Sequence, residues 1–166
     1  MITYIHQYYL AEKGTAMIGI ILGILFLVIA LLLWKLSPDN PLTKGLITGL
    51  LVSGLLQLVL TGSYTVVLSR KIAGLSQLQV QTDRVLQETE ISRMKKVFAS
   101  TYPMALAMDT VFIVMGLLLV FITSSPFWKG IGLSLMALGT VAHIGEAFSM
   151  QKNAAYQQKI TALKFQ

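Results

Sequence analysis

The chain has 166 residues, 55% of them hydrophobic and only 12% charged, about half the charged share of an average soluble domain. Too few charges remain to cover a water-facing surface, so the composition excludes a soluble globular fold and indicates a membrane protein. The formal charge of +6 needs no nucleic acid to explain it, since no groove-reading or aromatic-basic motif accompanies it, and the absence of cysteine excludes disulfides, thiolate metal sites and iron–sulfur clusters.

The first fifteen residues, MITYIHQYYLAEKGT, are mostly polar and aromatic. Three tyrosines and His6 ahead of a span suit an interfacial anchor, with a docking patch for another protein as the alternative. From Ala16 to Trp34 there is no charge in 19 residues, long enough to cross a hydrocarbon core of ~30 Å. No small-x-small cleavage site follows, so this first span, about 16–35, is expected to be retained. It contains no acid, Glu12 being counted with the polar tail, and Gly19 and Gly23 form a G-x-x-x-G that lets a neighbouring backbone approach closely.

After the proline-containing turn KLSPDNPLTK comes a second uncharged run, Gly45 to Leu68. Small or polar residues recur here at every fourth position: Gly45, Gly49, Ser53, Gln57, Thr61 and Thr65. Such a row drifts about 40° per step, so three or four members share any one interface. Packing is the plain reading. The sharper one makes Ser53, Gln57 and Thr61 the lining of a polar path, which would need matching polar groups on the aliphatic first span.

Residues 69–102 carry an amphipathic pattern, with Ile72, Leu75, Leu78, Val85, Leu86, Ile91, Met94 and Phe98 mostly three or four apart. The spacing predicts a helical hairpin between the second and third spans, turning near 82–89, with a helix lying flat in the interface as the alternative. Arg84, Arg93, Lys95 and Lys96 are the candidate contacts to a partner protein or to lipid head groups. Pro103 suits the first turn of the third span, where its missing N–H costs nothing.

The third and fourth spans are predicted at about 104–123 and 130–150, joined by the short loop TSSPFWK. Asp109, His143 and Glu146 are the titratable residues inside them. With helix ends near Met104 and Gln151 at one face, Asp109 and Glu146 lie about 7 Å deep and His143 about 12 Å. Positions 143 and 146 share a helix face, and the short loop makes the third span their neighbour. The three are the candidate proton or ion site. The competing readings are carboxylates reaching the water line with His143 hydrogen-bonded between helices, and a metal held by one imidazole and two carboxylates. H-x-x-E on a single helix lacks half of a di-iron set, His6 is not placed to complete a haem site, and no G-x-S-x-G or phosphate-cradling loop occurs.

Ten of the thirteen Lys and Arg residues fall on the side of the termini and the 69–102 connection. Both termini are therefore expected in the cytoplasm of a bacterial-type inner membrane. The sequence as a whole predicts an all-α integral membrane four-helix bundle of one domain, with a cytoplasmic amphipathic hairpin and neither cofactor nor metal. The function expected is non-enzymatic: binding of a partner protein, as accessory subunits and immunity-type proteins do, with a small oligomeric proton-coupled transporter or channel as the alternative. The hairpin supports the first, being longer than a connection requires.

Overall fold

The protein is described by a computed structural model covering residues 1–37, 39–75 and 82–163. Its elements are α1 (Ile2–Leu36), α2 (Pro41–Gly74), α3 (Asp83–Lys96), a π-helical turn (Val97–Thr101), α4 (Tyr102–Ile122) and α5 (Pro126–Ala162), with no strand among the described residues. α3, the π-turn and α4 run on as a single helix, Asp83–Ile122, so four helices are long and apolar enough to cross a membrane. Each begins or ends where local chemistry dictates. Asn40 caps α2, its side chain accepting from the Leu42 N–H at 2.9 Å ahead of Pro41, and Pro126 opens α5 in the same first-turn position.

α1 packs along α2, α2 along α5 and α5 along α4, whereas α1 and α4 share no extended seam among the described residues. Glycines set these approaches. A Cβ on Gly19 would lie 2.5 Å from Thr61 and 3.2 Å from the Gln57 amide, and one on Gly23 would lie 3.1 Å from the Gly54 carbonyl. Gly45 meets the Phe127 carbonyl on α5, Gly49 meets Ser134, and the Ser134 hydroxyl donates to the Leu46 carbonyl at 3.0 Å. The four-residue row on α2 is thus split: Gly45 and Gly49 serve α5, Thr61 and Gln57 serve α1, and Ser53 is buried. That division follows the drift of a straight helix. Thr61 and Thr65 donate to carbonyls four residues back, at 2.7 and 2.8 Å, which satisfies their hydroxyls within α2 itself.

The pattern of burial inverts along the helices. Toward the short loops the buried residues are mostly small, Gly23, Gly49, Ser53, Gly54, Gly116, Gly132, Ser134 and Gly139 among them, while Ile21, Leu31, Val59, Leu118 and Phe121 are exposed. At the other end Ile5, Tyr8, Tyr9, Leu68, Leu75, Leu86, Met94, Tyr156 and Ile160 form a compact apolar core, and Arg84, Glu88, Lys95, Lys96 and Lys159 are exposed. Large apolar groups outside and small ones inside is the arrangement suited to hydrocarbon; the reverse suits water. The two ends of the same helices therefore bury different classes of side chain. α1, at 35 residues, is about 52 Å long against a hydrocarbon core of ~30 Å. The surplus builds what we call the head.

The segments flanking 76–81 both enter the head core, Leu75 just past the end of α2 and Leu86 and Met94 from α3. The stretch expected to turn, 82–89, is helix from Asp83 onward. Leu78 of the amphipathic pattern lies outside the described residues. The wide turn at Val97–Thr101 falls just ahead of Pro103, which has no N–H to offer the preceding turn. Gln87 holds the two helix ends of the head together, its amide donating to the Ile160 carbonyl and, at 2.8 Å, to that of Leu163. These are carbonyls that a helix C-terminus leaves without partners.

Candidate functional site

Asp109 on α4 and His143 on α5 face each other, with His143 Nδ1 3.6 Å from Asp109 Oδ2. Gly139 brings them there. A Cβ at that position would lie 2.6 Å from the Asp109 carbonyl oxygen, so only the bare backbone lets α4 come this close, and His143 follows one turn later on the same face. Asp109 is 8% exposed, and neither Asp109 Oδ2 nor His143 Nδ1 has a hydrogen-bond partner among the described residues. The separation exceeds a normal N–H···O distance. Glu146, one turn further along α5, feels the charges of both Asp109 and Glu12. Of the three residues singled out in the sequence, then, two are in contact and the third lies within electrostatic reach.

Glu12 was not among them. α1 is helical from Ile2, and Ile5, Tyr8, Tyr9, Glu12 and Ala16 are buried at three- and four-residue spacing, in step with Gly23, Phe26 and Ala30 further on. That unbroken periodicity through the tail was the legible signal that Glu12 points inward. It is 4% exposed and accepts a hydrogen bond from the Tyr64 hydroxyl at 2.9 Å. Burial raises its pKa above the ordinary carboxylate value, against the opposing pull of the Tyr64 hydrogen bond and the Lys152 charge. Beside it Lys152 donates to Thr15 Oγ1 at 2.6 Å, and Tyr102 donates to Ser149 Oγ at 3.0 Å while accepting from the Asn153 amide. Helices α1, α2, α4 and α5 all send polar groups to this layer, where the apolar flanks end and the head begins.

The head holds a second polar centre. The Arg93 guanidinium is bonded to Glu90 through Nε, at 3.1 and 3.0 Å, and through Nη2 at 2.7 Å. Tyr156 donates to the same carboxylate at 3.2 Å, and Tyr9 makes a longer approach at 3.5 Å. Arg93 also lies over the rings of Tyr8 and Tyr9, 5.1 and 5.4 Å from their centroids, and Tyr8 stacks on Tyr156 at 4.0 Å. Burial works against the guanidinium charge, but the hydrogen bonds and charge of Glu90 outweigh it and lift its pKa. Burial, then the Arg93 charge, lowers that of Lys71, whose ammonium lies 5.6 Å above the Tyr9 ring. Arg93, expected as a contact to a partner or lipid, is held by Glu90 and laid on two tyrosine rings, with a quarter of its side chain exposed. Lys95 and Lys96 are exposed, as is Arg84, which pairs with Glu88 at 3.3 Å.

No group of three His, Asp or Glu side chains among the described residues is disposed to hold a metal ion. A hollow on α4 is lined by the apolar side chains of Met104, Ala107, Met108, Val111 and Phe112. The arrangement offers proton-binding groups in one layer and a basic, folded head above it. Comparison with protein-family models, with curated proteins and with solved structures finds nothing that matches this chain.

Proposed function

We infer that the chain is a non-enzymatic integral membrane protein, of the bacterial inner-membrane type with both termini cytoplasmic, that binds a partner protein through its head. The observation that carries this reading is that all four long helices run past spanning length and enclose a core of their own around Glu90 and Arg93. A short link in place of 69–102 would suffice to join the second span to the third. The apolar faces of α2 and α3 in the 69–102 segment are used inside that core, so recognition falls to the charged side, where Lys95, Lys96, Arg70 and Lys159 are exposed. The matching partner surface is acidic.

The test is a pull-down at native expression in nanodiscs, followed by mass spectrometry. A stoichiometric acidic partner, lost from the Lys95→Glu/Lys96→Glu variant while folding is kept, is the expected result. Recovery of the chain alone from both forms would refute the reading. Shortening 74–96 to a flexible linker is a poorer test, because it strips Leu86, Glu90 and Met94 from the core.

A second reading, a small oligomeric proton-coupled transporter or channel, draws support from the Asp109–His143 approach with Glu146 one turn away. Under it, Asp109→Asn, His143→Gln and Glu146→Gln abolish pH-driven flux in liposomes and leave partner capture unchanged.

A further inference from the structure

We propose that Asp109 and His143 form a binding site for a single proton, held between carboxylate and imidazole. The starting point is a pair of buried atoms that lack partners. Asp109 Oδ2 and His143 Nδ1 are 3.6 Å apart, and no other group satisfies either of them among the described residues. With the imidazole proton on Nε2, an ionised carboxylate faces a bare nitrogen and two acceptors meet; with it on Nδ1, the neutral ring can turn its one N–H toward Asp109. One proton turns either atom into a donor and the other into its acceptor, so a single binding event satisfies both. Leaving such atoms unpaired costs about 1–3 kcal/mol each; a tautomer change relieves that cost too, but only an added proton also sets an imidazolium against the carboxylate charge.

The surroundings point the same way. Carboxylates reach this layer from three helices, Glu12 on α1, Asp109 on α4 and Glu146 on α5, and Glu146 feels both of the others. The cations nearby are engaged elsewhere. Arg93 on α3 is bonded to Glu90, and Lys152 on α5 donates to Thr15. Tyr64 on α2 gives its hydroxyl to Glu12, and Tyr102 at the start of α4 gives its own to Ser149. Lys152 acts on Glu12, so the His143 imidazole is the group that faces Asp109, and a proton on that pair supplies the counter-charge. Asp109 is enclosed, whereas the His143 side chain is 40% exposed.

This inference requires neither a partner nor flux, so each can fail without the other. The experiment is a pH titration of the whole protein in nanodiscs, following the imidazole of His143 by NMR with ring-labelled histidine and the carboxyl of Asp109 by infrared difference. His6, exposed near the start of α1, serves as the internal reference. Expected are coincident midpoints for carboxyl and imidazole. Asp109→Asn should displace the His143 midpoint by about tenfold in proton concentration. Glu12→Gln should displace it less, Asp109→Glu should largely restore it, and His6 should stay fixed throughout. Separate midpoints in the unsubstituted protein, or a His143 titration indifferent to Asp109→Asn, would overturn the proposal. Should Asp109→Asn fail to fold, the unsubstituted protein alone decides. A shared midpoint with no proton flux in liposomes would retain the site and dismiss transport.

Discussion

Removing the Arg93 guanidinium would leave the Glu90 carboxylate with two phenols for company in a core from which water is largely shut out. Breaking a buried pair from one side costs about 3–5 kcal/mol, and because a quarter of the Arg93 side chain still meets solvent we expect Arg93→Ala near about 3 kcal/mol. Unfolding in detergent, followed by tyrosine fluorescence, measures it. The double replacement Glu90→Leu with Arg93→Met should recover most of the loss, since an apolar pair of similar volume needs no counter-charge. Residues of this kind are hard to read in a sequence. Asp109 and His143 stood out because each interrupts an apolar run, but Glu12 and Arg93 sit among other polar residues and look like surface until their contacts are known. Charge type alone does not separate a solvated arginine from one laid on two tyrosine rings.

The elements were legible to the extent that solvent dictates them. Apolar runs of spanning length located the apolar parts of α1, α2, α4 and α5, because only a helix satisfies every backbone group within one segment of such a run. The helix ends beyond those runs were not, because a polar segment carries no equivalent compulsion. α1 therefore starts at Ile2 where an anchor was expected, and α3 occupies positions 83–89 where a turn was expected. The buried end of α1 has a measurable consequence. Burial raises the Glu12 pKa above its ordinary 4.5, so the folded state holds that proton more tightly than the unfolded chain. Its contribution to stability is fully present below pH 4.5 and is lost as pH rises through the higher, folded value. Melting between pH 4.5 and 7 should therefore show the head loosening toward neutrality, and Glu12→Gln should flatten that dependence. A steeper slope in the variant would contradict the burial argument.

At the scale of the molecule, helices paired by short loops make up each half. α1 lies on α2 through Gly19, Gly23 and Gly54; α4 lies on α5 through Gly116, Gly132 and Gly139; Gly45, Gly49 and Gly130 join the halves. The short polar loops announced both pairings, but nothing in the pattern announced which pair faces would meet, since glycines on every helix offered equivalent stripes. Because each pair closes on near neighbours in the chain, the amino-terminal couple is complete before the carboxy-terminal couple is synthesised. Severing the polypeptide within 76–81 ought then to be survivable. Two fragments co-expressed from separate reading frames should find one another in the bilayer and co-purify on a tag carried by either, whereas Gly130→Leu, which would drive a side chain into the Leu42 carbonyl, should keep the fragments apart.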